Sequence, residues 1–170
     1  MNILLTGQPH SGKSTLIKNV VDGIEHKLGF FTQELTNDGK RTGFKLVSSL
    51  GDHALLADER LSGVPRVSRY GVDVSNLNAF LTKLPKPSKD DLLYIDEIGQ
   101  MQLLSEAFKR YVVSCLDSSN PFLGTLTSVY DDPFTHALRA RDDVEVLELT
   151  LDSREKILDV IAAKIAAQTS

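Results

Sequence analysis

The chain has 170 residues, 41% hydrophobic and 25% charged, with a formal net charge of −4 and a single cysteine. That composition excludes a disordered chain, and the acidic balance argues against a dedicated nucleic-acid binder. No apolar run approaches the roughly 18 residues of a membrane span, and Ile3-Leu4-Leu5 is too short for a secretory h-region. A monomer in the reducing cytoplasm is therefore expected, with Cys115 an inert thiol in a helix.

The first five apolar-rich residues, 2–6, end at Gly7 and predict a buried strand. Over 14–26, Leu16, Val20, Val21 and Ile24 form one apolar stripe, which predicts an amphipathic helix ended by Gly29. Segments 30–35 and 42–49 flank Asn37-Asp38-Gly39-Lys40, and Asp-Gly between strands signals a hairpin. Further short strands at 53–57 and 66–74 complete an antiparallel insertion over about 30–74. Past the connection Leu84-Pro85-Lys86-Pro87-Ser88-Lys89, strands at 92–95, 122–129 and 144–149 alternate with helices at 103–116, 133–141 and 153–167. Asp131-Asp132 with Pro133 at the first helical position starts the second of those helices. Alternation predicts an α/β fold in one domain, residues 1–170, with a mostly parallel sheet and helices on both faces.

Gly7-Gln8-Pro9-His10-Ser11-Gly12-Lys13-Ser14 matches G-x-x-x-x-G-K-[ST] without a mismatch. The glycines let successive amides turn inward onto phosphate oxygens, and the following helix adds its positive end. Lys13 supplies a mobile charge to the β and γ phosphates, the Ser14 hydroxyl is a ligand for Mg²⁺, and Thr15 adjoins them. A strand before the motif and a helix after it set this match apart from coincidence. His10 is unusual there; histidine tolerates positive φ, and the alternative is a substrate contact.

Leu92-Leu93-Tyr94-Ile95 runs into Asp96-Glu97. In a parallel sheet the strand's C-terminal end opens onto the ligand crevice, so Asp96 is expected to orient Mg²⁺ and Glu97 to polarise a water. The plainer reading makes Asp96 a turn cap and Glu97 a solvated acid.

With these motifs in place, the chain resembles the small nucleoside-triphosphatases of the thermophilic type, which include a human cancer-related member. The resemblance covers nearly the whole length. It is carried by Gly29-Phe30-Phe31-Thr32-Gln33-Glu34, by Gly39, Arg41 and Gly43-Phe44, and by Tyr70-Gly71-Val72-Asp73. The most specific run is Asp96-Glu97-Ile98-Gly99-Gln100-Met101; Leu123-Gly124-Thr125 and Ser153-Arg154 extend the match. The resemblance implies a P-loop enzyme with an additional catalytic glutamate. Such an enzyme hydrolyses ATP, GTP and other triphosphates with little base preference, and Arg154 approaches its nucleotide. Gln100 and Gln102 depart from the family's usual Lys and Glu, Ser153 from its asparagine and His10 from its glycine.

Arg41, Glu34 with Thr32, and Thr125 with Thr127 are further candidates, each also readable as an ordinary strand residue. Three functions stay open at this point: a hydrolase, a P-loop kinase with a hydroxyl acceptor, and a nucleotide-dependent switch. The hydrolase is the leading reading, because no tight arginine cluster or effector segment stands out.

Overall fold

The first apolar run folds as β1 (Asn2–Thr6), buried along its whole length. It pairs in parallel with β8 (Phe122–Leu126) and β9 (Glu145–Glu148). β8 pairs in parallel with β7 (Leu92–Ile98), and β7 with β2 (Lys27–Asn37). Strands covered on both faces read as continuous apolar runs, which is why β1, β7 and β8 were legible. Beyond β2 the sheet continues antiparallel through β3 (Lys40–Ser48), β4 (His53–Asp58), β6 (Tyr70–Val72) and β5 (Arg66–Val67). The result, over residues 1–168 described by the computed structural model, is one nine-stranded sheet ordered β5-β6-β4-β3-β2-β7-β8-β1-β9.

Alternation along β1 sends Ile3 and Leu5 to one face and Leu4 to the other. The first face packs against Leu16, Ile17 and Val21 of α1 (Lys13–Asp22) and Ile157 and Ile161 of α5 (Arg154–Gln168). The second packs against α2 (Val74–Thr82) and α3 (Glu106–Asp117), where Phe30 meets Phe80 and Phe108 edge-on at 5.3 and 6.3 Å. α4 (Pro133–Arg139) starts as expected, with Asp132 and Thr135 exchanging bonds in a capping box. Cys115 is buried, and burial pushes its thiol up to about 11. Among the described residues no helix is long and apolar enough to cross a membrane.

The structure redraws several boundaries. α1 stops at Asp22 rather than 26, because Gly23 takes the C-cap and the Lys27 ammonium caps the carbonyls of Val21 (3.0 Å) and Ile24 (2.8 Å). Gly29 is no helix stop. It lies inside β2, where a Cβ would fall 2.0 Å from the Tyr94 carbonyl oxygen. The expected strand over 66–74 divides into β5 and β6 about Ser68, whose φ is 55°. Its end, Val74, opens the unexpected α2, with the Asp73 carboxylate accepting from the Asn76 amide at 2.9 Å. Residues 102–104 form a 3₁₀ turn, and α3 begins only after Ser105 caps the Phe108 amide.

The antiparallel part is continuous with the parallel core through β2. Lys27 to Phe31 pair with Leu92 to Asp96 of β7, whereas β2 from Thr32 onward pairs with β3 alone. The β2–β3 hairpin therefore runs on as an arm past the point where Asp96 leaves its ladder.

Candidate active site

The motif 7–14 folds as a loop between β1 and α1, with glycine geometry where the spacing asks for it. φ is 151° at Gly7 and 90° at Gly12. A Cβ on Gly7 would meet the Leu149 carbonyl oxygen at 2.7 Å and Ser11 Oγ at 3.0 Å. His10 takes φ 63°, the positive value that the bland reading of this histidine required. The Ser11 amide donates to the Gln8 carbonyl at 3.1 Å, closing the turn, and Ser128 Oγ donates to the Gly7 carbonyl at 2.7 Å from the β8 side. Ser11 Oγ is buried with no partner among the described residues, an orphaned group that a phosphate oxygen would satisfy. Lys13 Nζ donates to the carbonyls of Gly7 (2.8 Å) and Gln8 (3.1 Å). Burial lowers its proton affinity, opposed by the charges of Glu97 and Asp96.

The acid pair stands where the strand end should place it. The β7–β8 register shifts between Ile95 and Ile98, so Asp96 and Glu97 depart from regular pairing at the mouth of the crevice. Asp96 is 2% exposed and its Oδ1 accepts from Ser14 Oγ (3.0 Å) and Thr125 Oγ1 (2.6 Å). Burial raises its proton affinity, and those two hydroxyls and Lys13 oppose the rise. Burial also raises Glu97, reinforced by the Asp96 charge and opposed by Lys13. Glu97 folds over Gly99: a Cβ there would meet Glu97 Oε1 at 2.8 Å and Gln102 Oε1 at 3.0 Å. Gln102 is buried and donates to Thr32 Oγ1 at 3.1 Å, which gives one departure from the family pattern a neutral structural task.

A cleft of about 600 Å³ joins these groups, lined by Pro9 to Thr15, Asp96, Glu97 and four arm residues, Thr32, Glu34, Arg41 and Phe44. Arg154, the first residue of α5, is not among the cleft-lining residues but stands beside the loop, its Nη1 2.9 Å from where a Gly12 Cβ would be. Gly7 is buried and Gln8 exposed beside the cleft. Thr125 joins the site through Asp96, whereas Thr127 serves its own turn by accepting from the Val129 amide. Sequence reasoning missed Ser128 and, although Tyr70 stands in a family run, the acceptor role of Tyr70 toward Arg41; neither residue sits in a local pattern that announces its partner. Hard oxygen donors at Ser14 and Asp96, with no cluster of three His, Cys, Asp or Glu among the described residues, fit Mg²⁺ shared with phosphates rather than an all-protein metal cage.

A loop of this geometry between a buried strand and a helix, facing an acidic strand end in a parallel core, defines a P-loop NTPase fold. The family model described as NTPase matches residues 2–162. The chain belongs to that family. It is 37% identical over 163 residues to the Nucleoside-triphosphatase THEP1 of Thermotoga sp. strain RQ2, covering 95% of this chain and 93% of that protein. It is similar to the crystal structure of THEP1 from the hyperthermophile Aquifex aeolicus, with TM-score 0.86, 27% identity and coverage of 97% and 99%. A solution structure of a human cancer-related nucleoside triphosphatase superposes with TM-score 0.78, 29% identity and coverage of 98% and 97%.

Proposed function

We propose that this protein is an Mg²⁺-dependent nucleoside-triphosphatase that converts ATP, GTP and other triphosphates to diphosphate and phosphate with low base selectivity. The observation that carries the reading is the convergence of Lys13, Ser14, Asp96 and Glu97 on one cleft. The names of the relatives support hydrolysis of nucleoside triphosphates, and base tolerance is what the family resemblance implies. The kinase alternative gains no support from those relatives.

In this reading the loop of Gly7, Gln8, Pro9, His10, Ser11, Gly12 and Thr15 cradles the phosphates with its backbone amides, except at Pro9, which carries no N–H and only shapes the turn, and Lys13 neutralises the β and γ oxygens. Arg154 contacts the nucleotide across Gly12. Ser14 and Asp96 would hold Mg²⁺, which when bound supplies further charge neutralisation on the phosphates. Glu97 takes a proton from water as the water oxygen bonds to the γ-phosphorus. The bond to the β,γ-bridging oxygen breaks, and its electron pair leaves with the diphosphate. The raised proton affinity of Glu97, set by burial and the Asp96 charge, suits a base, because a stronger acceptor gains driving force for taking the water proton.

Glu97→Gln keeps the shape and removes the base. Turnover is expected to fall at least about 100-fold, with the affinity for a fluorescent triphosphate analogue kept within about threefold. Phosphate release without an acceptor, measured for ATP, GTP, CTP and UTP with and without Mg²⁺, tests the rest. Diphosphate formation that starts only when a hydroxyl acceptor is added, with no free phosphate released, would sink the hydrolase reading.

A further inference from the structure

We propose that Arg41 is a second cationic ligand of the γ-phosphate, delivered from the β2–β3 arm, and that Tyr70 is its positioning residue; this rests on the nucleotide reading above. The arm's pairing sets Phe44 opposite Glu34, and alternation adds Thr32 to the same face. Residues 41 and 44 differ by three, so a regular strand would send Arg41 to the other face. The register shift between Leu35 and Thr36 inserts Thr42 as an extra residue and sets Arg41 opposite Thr36. Arg41 is thereby returned to the cleft side with Glu34 and Phe44, the kind of re-aiming that bulges perform beside active sites. Its guanidinium carbon stands 5.2 Å from the Phe44 ring centre and 5.8 Å from that of Tyr70.

The clamp is specific to arginine. Nε donates to Tyr70 Oη at 2.9 Å and Nη1 to Glu34 Oε1 at 3.0 Å, leaving Nη2 to a ligand. Arg69 braces the arrangement by donating to Tyr70 Oη (3.2 Å) and to the Arg41 carbonyl (2.8 Å). The Arg41–Glu34 pair is 39% and 53% exposed at its side chains, so water screens it and a multiply charged phosphate displaces Glu34. Arg41 lines the same cleft as Lys13 and Glu97. As the bond to the bridging oxygen breaks, with its electrons passing to the β-phosphate and the water proton to Glu97, Arg41 stabilises charge on the γ-phosphoryl oxygens. A cation that meets only the third phosphate distinguishes triphosphate from diphosphate.

The test compares kcat, ADP affinity and the affinity for ADP with aluminium fluoride in wild type, Arg41→Ala, Arg41→Lys and Tyr70→Phe. Arg41→Ala is expected to lose about 100-fold in kcat and in fluoride-complex affinity, with ADP alone changed less than about twofold. Arg41→Lys, which keeps the charge but not the fork, recovers about tenfold of that loss. Tyr70→Phe lowers kcat about tenfold with KM nearly unchanged. Wild-type kcat and fluoride-complex affinity in a folded Arg41→Ala, or an equal loss of ADP and fluoride-complex binding, overturns the proposal. If circular dichroism shows Arg41→Ala unfolded, the Arg41→Lys ratio decides: an unchanged ratio overturns it. Wild-type protein that releases no phosphate refutes the hydrolase reading, whereas release unaffected by the Arg41 variants refutes this inference alone.

Discussion

Gly7 sits at φ 151° with the Leu149 carbonyl 2.7 Å and Ser11 Oγ 3.0 Å from the place of a Cβ. The first neighbour is backbone just past the end of β9, held by the Leu149 amide donating to the Thr6 carbonyl at 2.8 Å. Gly7→Ala should cost about 1–3 kcal/mol in urea unfolding through strain at that dihedral. It should also weaken nucleotide binding at least about tenfold, since it displaces the Ser11 hydroxyl that is proposed to meet a phosphate oxygen. A titration with a fluorescent nucleotide beside an unfolding curve separates the two effects; unchanged affinity would show that the loop tolerates a side chain there. The loop was legible at this scale because its chemistry is local. Arg41 was legible only as a candidate: its partners Glu34 and Tyr70 stand 7 and 29 residues away, and no spacing rule joins them.

At the scale of elements, Gly29 shows how a local signal misleads. A glycine after an amphipathic run reads as a helix stop, yet here it lets β2 approach β7 closely, with Tyr94 oxygen 2.0 Å from a notional Cβ. Gly29→Ala is expected to cost about 3 kcal/mol or more, because two paired strands must part. Gly39→Ala in the hairpin turn has nothing within 4 Å and should cost only about 1 kcal/mol for its positive φ. Equal unfolding midpoints for the two variants would remove the packing argument. α2 escaped sequence reasoning although Leu77, Phe80 and Leu81 keep helical spacing. The β-rich stretch before α2 ends at Val72, and Asp73 caps the new helix through the Asn76 amide three residues on.

For the molecule as a whole, the acid pair ties function to stability. Both carboxylates have raised proton affinities, chiefly through burial. A carboxylate with a folded value above its unfolded one stabilises the fold while protonated, and that contribution fades as pH rises through the folded value. Glu97→Gln removes a charge that is costly near neutrality. Its melting temperature should therefore exceed wild type at pH 7–8, and the gain should shrink to nothing as pH falls below about 4.5, the ordinary Glu value. The same titration predicts an acidic limb in phosphate release, with activity falling as Glu97 gains its proton at a pH above the ordinary Glu value. A Glu97→Gln melting curve below wild type at pH 8 would contradict this account of the site.

What the sequence determined by itself was whatever depends on neighbours along the chain. The loop closes within eight residues, the buried strands are unbroken apolar runs, and Asp96-Glu97 ends one of them, so sheet, cradle and strand-end acids could all be read. Tertiary structure alone decided that β2 serves both halves of one sheet, that Thr125 and Ser14 share an Asp96 oxygen, and that Arg41 turns toward the cleft. Those outcomes depend on register and strand order, and period-two patterning fixes which face a side chain takes without fixing which strand lies beside it.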